Sequence, residues 1–275
     1  MHPEREGRSH KPMTHPTSGP TNSWTSYLDQ FHEHNPGITQ DVLTEASDVD
    51  GINAYDWLLD ATPPEPDVLA LDLACGSCPL HSTASHLRWV GVDRSRGELA
   101  RAGQLHPRTL VLGDGQRLPF RNATFGLVTC SMALMLLNPV DTVIAEIHRV
   151  LEANGTLALL LPGSVPLTTR DRLRYLRLLT ALHKLRPTYP NNVHLGRLSA
   201  RLEHAGFKVV VDERRCFRYP LPDENHTRRF ANSLYLPGRS DEDIERGVEA
   251  TRSWIGSTIG IPLRRVVCTK VIASQ

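Results

Sequence analysis

The chain predicts an α/β fold built on a mostly parallel sheet, and three observations carry that expectation. Short apolar runs alternate with helical patterns from Val68 onward. The first run, Val68–Leu73, feeds a turn of small residues, Ala74-Cys75-Gly76-Ser77-Cys78. Three successive runs end in, or are closely followed by, an acid: Asp72, Asp93 and Asp114. Regular alternation of strand and helix implies parallel strands with helices on both faces.

The elements follow in chain order. Residues 1–20 are rich in His, Pro, Ser and Arg and lack an apolar centre. They predict a disordered tail rather than a signal peptide. Trp24 to Asp60 is helical in pattern, interrupted at Asn35-Pro36-Gly37 and again at Asp50-Gly51. Residues 21–62 are therefore expected to form a helical cap or lid, ended by Pro63-Pro64-Glu65-Pro66. Strands are expected at Val68–Leu73, Trp89–Asp93, Thr109–Leu112, Phe125–Cys130 and Thr156–Leu161. Helices are expected at Leu80–Leu87, Arg96–Gln104 and Val140–Leu151, the last closed by Asn154-Gly155. A basic helix, Arg170–Leu185, carries an expected apolar stripe of Leu173, Leu176, Leu178, Leu179 and Leu182. A short helix from Leu198 ends near Gly206 and leads into a strand at Lys208–Asp212, and a last strand is expected at Arg265–Ile272. The sum is a seven-stranded sheet over residues 63–275, with insertions at about 163–195 and 219–260 that add to the cap.

Composition removes several function classes. The chain has 275 residues, 40% hydrophobic and 22% charged, with a formal net charge of +1. That balance gives no electrostatic footprint for nucleic acid or an anionic membrane. No apolar run approaches the roughly 20 residues a membrane-spanning helix needs. Five cysteines in no framework spacing fit reduced thiols in a cytoplasm. Cys75 and Cys78 form a C-x-x-C. Redox or metal chemistry there requires a second Cys/His pair or a pairing partner, and neither is visible in sequence. His32-x-His34 likewise lacks a ligand set at metal spacing, so no metal is expected.

The turn after the first strand lets backbone N–H groups approach a ligand. Asp93 lies about 20 residues beyond it, where a ribose diol is commonly held. Together these features predict an adenosine-containing cofactor on a Rossmann-like sheet. A nicotinamide dehydrogenase needs G-x-G-x-x-G against a pyrophosphate, and the same register here reads Ala74, Gly76 and Pro79. Two of three glycines are missing, which leaves an NAD(P)-dependent oxidoreductase as the weaker alternative.

The segments Leu69-Ala70-Leu71-Asp72-Leu73-Ala74-Cys75-Gly76, Gly91-Val92-Asp93-Arg94-Ser95, Leu112-Gly113-Asp114-Gly115, Leu118-Pro119-Phe120, Phe125–Ser131 and Glu146–Gly155 carry a resemblance. In order and spacing the chain resembles class I S-adenosylmethionine-dependent methyltransferases. The resemblance implies S-adenosyl-L-methionine as cofactor and assigns the roles that follow. Asp72, Ala74, Cys75 and Gly76 would meet its methionyl part. Asp93 with Arg94 would hold the ribose, and Asp114-Gly115 the adenine. Ser131 and Met132 would face the sulfonium and the substrate. The family usually has glycine at the positions of Ala74 and Cys78. A catalytically silent binding module of the same fold is the alternative from another class, and the three acids argue against it.

A proton acceptor, where one is needed, is expected from the segments that cap the sheet. Tyr27 and His32 are the candidates on the N-terminal helices, with Tyr189 and His194 in the later loop. Tyr27 and His32 alternatively close over the cofactor as a lid. His148 and His204 fall in helices on the far side. The fourth strand ends Cys130-Ser131-Met132-Ala133, without the Asn/Asp-Pro-Pro-aromatic signature of enzymes that methylate amide or base nitrogens. A small-molecule substrate follows by elimination, and the resemblance implies that it is methylated on O, N or C, as in secondary metabolism. Trp24, Tyr55, Trp57, Tyr189, Tyr219, Tyr235 and Trp254 are candidates for an aromatic pocket. A homo-oligomer is left open.

Overall fold

The computed structural model describes residues 20–62, 67–105, 109–184, 189–191, 193 and 196–271, with side chains from Trp24 onward. Residues 1–19 of the expected tail, the Pro63–Pro66 linker and His194 lie outside the described residues, and Pro20 opens the first helix instead. Three helices come first: α1 (Pro20–His34), α2 (Ile38–Glu45) and α3 (Ala54–Asp60). The first break falls at Gly37, which takes φ +76°, and the second is a turn capped by Asp48, which accepts from Asp50 N and Ile52 N. Asn53 then caps α3 by accepting from Tyr55 N and Asp56 N.

The sheet follows with β1 (Leu69–Leu73), β2 (Arg88–Asp93), β3 (Thr109–Leu112), β4 (Phe125–Ser131), β5 (Leu151–Pro162), β6 (Phe207–Leu221) and β7 (Ser257–Lys270). Between them run α4 (Leu80–Thr83), α5 (Arg96–Leu105), α6 (Val140–Val150), α7 (Thr169–Ala181), α8 (Leu198–His204), α9 (Glu224–Asn232) and α10 (Asp241–Thr251). Strand order is β3-β2-β1-β4-β5-β7-β6. The first five are parallel, and β7 runs antiparallel between β5 and β6. The seven-stranded, mostly parallel Rossmann-like sheet predicted from sequence is the one observed. Order reverses at β1, so the carboxyl ends of β1 and β4 flank a crevice of the kind that binds ligands in open α/β sheets.

Period-two patterning divides the core between the two faces. Leu157, Leu159 and Leu161 join one apolar cluster, while Ala158 and Leu160 join the other. On the first face α6 buries Val140, Val143, Ile144, Ile147 and Val150, at helical spacing. At about 1.5–3 kcal/mol for each buried aliphatic side chain, that stripe holds the helix against β4 and β5. The other face is covered by α3 with Trp57 and Leu58, and by α7 with Leu178.

Four local expectations are corrected. The α6 helix stops at Val150, and Leu151 opens β5; Asn154, at φ +62°, and Gly155 form an irregularity inside that strand. Phe125 pairs with Leu151 but Leu127 with Thr156, so three extra residues bulge out. The helix expected at Leu80–Leu87 is a single turn, Leu80–Thr83; the Ala84 carbonyl instead accepts from Trp89 Nε1. The apolar stripe of α7 is rotated: Leu173 and Leu176 are 61% and 62% exposed, while Asp171 and Arg174 face inward. Asp171 pairs with Arg218 at 2.5 Å, and Arg174 donates to Thr258 O at 2.8 Å and lies over Trp254. These fixed partners outweigh the transfer free energy of two leucines. Finally, β6 and β7 are 15 and 14 residues long, far beyond the short strands expected. Glu213 and Arg264, just outside the expected strands, form cross-strand pairs: Glu213 lies opposite Arg265, and Arg264 bonds Asp212 at 2.6 Å.

Candidate active site

Register sets the rim of the site. Asp72 pairs with Gly91 and Thr129, and Asp93 with Leu112, so β1, β2, β3 and β4 end along one edge. The turn after β1 takes three left-handed residues, Ala74 (φ +53°), Gly76 (+53°) and Cys78 (+61°). This alternation curls the loop so that Cys75 N bonds Val92 O at 3.0 Å and Gly76 N bonds Asp93 Oδ2 at 2.8 Å. Asp93 Oδ1 accepts from Ser95 N at 2.8 Å. Asp93 thus ties the loop after β1 to the start of α5, while each oxygen keeps a second lone pair. Burial raises its carboxyl pKa, opposed by the Ser95 and Gly76 N–H groups.

Asp72 is 1% exposed, and Thr129 Oγ1 donates to its Oδ1 at 2.9 Å. Burial pushes this carboxyl up to about 7 against that hydrogen bond. Asp114 is exposed just beyond β3 and accepts from Gln116 N at 2.9 Å. Gly115 beside it is buried, and a Cβ there would meet Leu73 at an ordinary 3.4 Å. Ser131 ends β4; its Oγ is buried with no hydrogen-bond partner. Met132 turns away at φ +55°, anchored by its N–H to Leu160 O.

One cavity takes in all ten residues predicted to meet the cofactor: Asp72, Ala74, Cys75, Gly76, Asp93, Arg94, Asp114, Gly115, Ser131 and Met132. The three acids converge on a shared crevice. Its roof comes from the N-terminal helices and the insertion before β7, through Trp24, Leu28, His32, Thr39, Gln40 and Tyr235. The two breaks in the helical pattern let α1 and α2 fold over the sheet end rather than run on as one rod.

The two candidate proton acceptors separate. His32 lines the cavity, and its Nδ1 is 2.8 Å from Glu98 Oε1. Tyr27 does not line it; its hydroxyl accepts from Leu236 N at 2.9 Å, and burial raises its pKa. Of the expected aromatic pocket, Trp24, Tyr55 and Tyr235 face the cavity. Trp57 and Tyr219 are core side chains, the first under the Arg265 guanidinium and the second stacked on Phe230. Trp254 packs beneath Arg174, and Tyr189 packs against the apolar cluster that contains Phe31, its neighbour Pro190 reaching the cavity instead. Burial holds the Tyr55 and Tyr235 hydroxyls well above 10, so both are hydrogen-bond donors at neutral pH. His148 and His204 line a separate groove between α6 and α8, away from this cavity.

Glu98 was not foreseen. It is 3% exposed on α5, and it accepts from Gly37 N at 2.9 Å as well as from His32. Arg94 with Asp29 (3.1 Å) and Arg101 with Asp41 (2.5 Å) extend this seam between α5 and the cap. A Cβ on Gly37 would sit 2.5 Å from Arg101 Nε and 2.8 Å from Ser77 Oγ, so the cap turn rests directly on the loop after β1. These partners are 60 to 66 residues apart in sequence, so no local pattern announces them.

The comparisons with known proteins agree with the geometry. Residues 71–159 match the family described as a methyltransferase domain. The chain is 39% identical over 100 residues to a malonyl-[acyl-carrier protein] O-methyltransferase of Laribacter hongkongensis, covering 36% of this chain and 31% of that protein. It is 31% identical over 127 residues to a demethylmenaquinone methyltransferase of Streptomyces avermitilis, covering 44% and 53%. The chain thus spans about a third to a half of the length of these relatives. Among solved structures, the [4+2]-cyclase SpnF superimposes with a TM-score of 0.61 at 16% identity, covering 91% of this chain and 97% of that one. Phosphoethanolamine N-methyltransferase 2 of Haemonchus contortus, solved with S-adenosyl-L-methionine, gives 0.57 at 16% identity, covering 91% and 60%. The match thus shows a methyltransferase domain over residues 71–159, and the chain shares the α/β fold of these solved structures.

Proposed function

We propose that the chain is an S-adenosylmethionine-dependent methyltransferase acting on an O, N or C atom of a small molecule, of the kind met in secondary metabolism, in the cytoplasm. One observation carries the reading: Asp72, Asp93 and Asp114 line a single cavity in which the buried Ser131 Oγ lacks a partner that a ligand would supply. In this reading Asp93 takes the ribose hydroxyls on its remaining lone pairs, and Asp114 accepts from the adenine amino group. The Ala74–Gly76 backbone lies along the methionyl part, with Arg94 at the rim and Ser131 and Met132 at the reacting end. When bound, the sulfonium supplies an electrophilic methyl group.

The chain's own residues then orient the acceptor, exclude water and take a proton. Trp24, Leu28 and Tyr235 close the apolar side of the cavity. His32 is the proton acceptor. A carboxylate can only accept, so the Glu98 contact selects the Nδ1–H tautomer and leaves Nε2 with its lone pair. Tyr27 acts on the lid by pinning α1 to Leu236.

Calorimetry with S-adenosylhomocysteine and with NAD tests the assignment: binding of the first alone supports it, and binding of NAD alone refutes it. A non-transferring role is the second reading, because a neighbour of this fold is named a cyclase. Binding of S-adenosylhomocysteine together with no methyl transfer across a panel of small acceptors would favour it.

A further inference from the structure

The thiol of Cys78 plays no part in the reading above, and the fold supplies partners for it. His81 follows Cys78 by three residues at the start of α4, and Asp72 reaches the same point from β1. One ligand atom from each of Asp72, Cys78 and His81 lies within 4.8 Å of the others. Their exposures are 1%, 0% and 1%. One observation points to something held there. Asp72 Oδ2 is buried and accepts no hydrogen bond, with His81 Nε2 4.0 Å away. Cys78 occupies a left-handed position, φ +61°.

We propose that Asp72, Cys78 and His81 form a buried site for a zinc-type divalent cation beneath the loop after β1. The donor set of thiolate, imidazole and carboxylate is that of zinc, whereas calcium and magnesium take oxygen. The charges balance: one thiolate and one carboxylate neutralise a dication, so the ion enters the interior without net charge. Binding releases the Cys78 proton, and that of Asp72 where it is protonated. Two tetrahedral ligands about 2.0–2.2 Å from zinc stand roughly 3.4 Å apart. The observed 4.0 Å between His81 and Asp72 therefore closes by about half an ångström on binding. A Cβ on Gly91 would lie 2.9 Å from Cys75 Sγ and 3.1 Å from Cys78 Sγ, which sets a second thiol beside the site. The ion would brace the three left-handed residues of the loop by tying Cys78 to the end of β1. The inference does not depend on the reaction proposed above.

The test uses the full chain, purified without chelator from zinc-supplemented medium and dialysed. Plasma mass spectrometry is expected to find about one zinc per chain. Cobalt(II) added to the chelator-treated chain is expected to give a thiolate-to-cobalt charge-transfer band. Cys78→Ser should abolish that band and His81→Gln should weaken cobalt binding at least about tenfold, while Cys75→Ser reports whether the fourth position is a thiol. Wild-type chain without stoichiometric zinc and without the cobalt band, or a band unchanged in Cys78→Ser, overturns the site. The wild-type measurements decide even where a variant fails to fold.

Discussion

Removing the Glu98 carboxylate should release the N-terminal cap while leaving the sheet folded. In Glu98→Ala, Gly37 N and His32 Nδ1 lose their buried acceptor. A hydrogen bond to a charged group contributes about 1.5–3 kcal/mol, so two give about 3–6 kcal/mol. The deleted carboxylate also ends its own desolvation cost, and a lifted cap rehydrates both donors, which brings the expected loss to about 2–4 kcal/mol. Apolar contacts of Tyr27, Leu28, Phe31 and Ile38 with the core remain, so the cap opens locally instead of unfolding the chain. At 1.4 kcal/mol per factor of ten, amide hydrogen exchange over residues 24–45 should quicken about 30- to 1000-fold. Exchange in β1, β4 and β5 should hardly change. The Arg94–Asp29 pair is about half-exposed on both sides, so Arg94→Ala should leave cap exchange nearly as it is. Unchanged exchange at residues 24–45 in Glu98→Ala, or a uniform rise across the whole chain, would refute the idea of a latch.

Three further outcomes are expected. Asp93→Ala should weaken S-adenosylhomocysteine binding by about 1–3 kcal/mol, or roughly 5- to 150-fold by calorimetry, and equal affinity would remove Asp93 from the ribose site. Glu146 accepts from Arg149 Nε at 2.7 Å and from Leu118 N at 2.8 Å, and the arginine holds its carboxyl below the usual glutamate range. Its stabilisation is therefore full above the unfolded pKa and disappears as pH falls through the lowered folded value. Glu146→Gln should lower the urea midpoint at neutral pH, with the gap to wild type closing below about pH 4; a gap that widens in acid would contradict the sign. Gly206 sits at φ +89°, and a Cβ there would lie 2.9 Å from His148 Nε2. Gly206→Ala should cost about 1–3 kcal/mol in thermal or urea unfolding, and a neutral result would mean that the α8–β6 turn relaxes freely.

How legible each part was follows from the range of the forces that make it. The α/β alternation, the small-residue turn after β1 and the acids at three strand ends are local patterns, and each reappears in place. The α7 face was misjudged because Asp171 and Arg174 are drawn inward by Arg218, Thr258 and Trp254, 47 to 84 residues away. The long β6–β7 ribbon was hidden because its charges are matched across strands, and a single strand shows only half of each pair. Glu98 reads as one more helix-surface carboxylate until the cap is folded over it.

By itself, then, the order of residues determined the parallel part of the sheet, its alternation of strand and helix, and the three carboxylates along its rim, since backbone periodicity and turn chemistry act within a few residues. Only the tertiary structure decided that His32 rather than Tyr27 faces the cavity, that Glu98 holds it, and that Cys78 meets His81 and Asp72. Those choices depend on which distant surfaces exclude water from one another, and that is settled by packing in three dimensions.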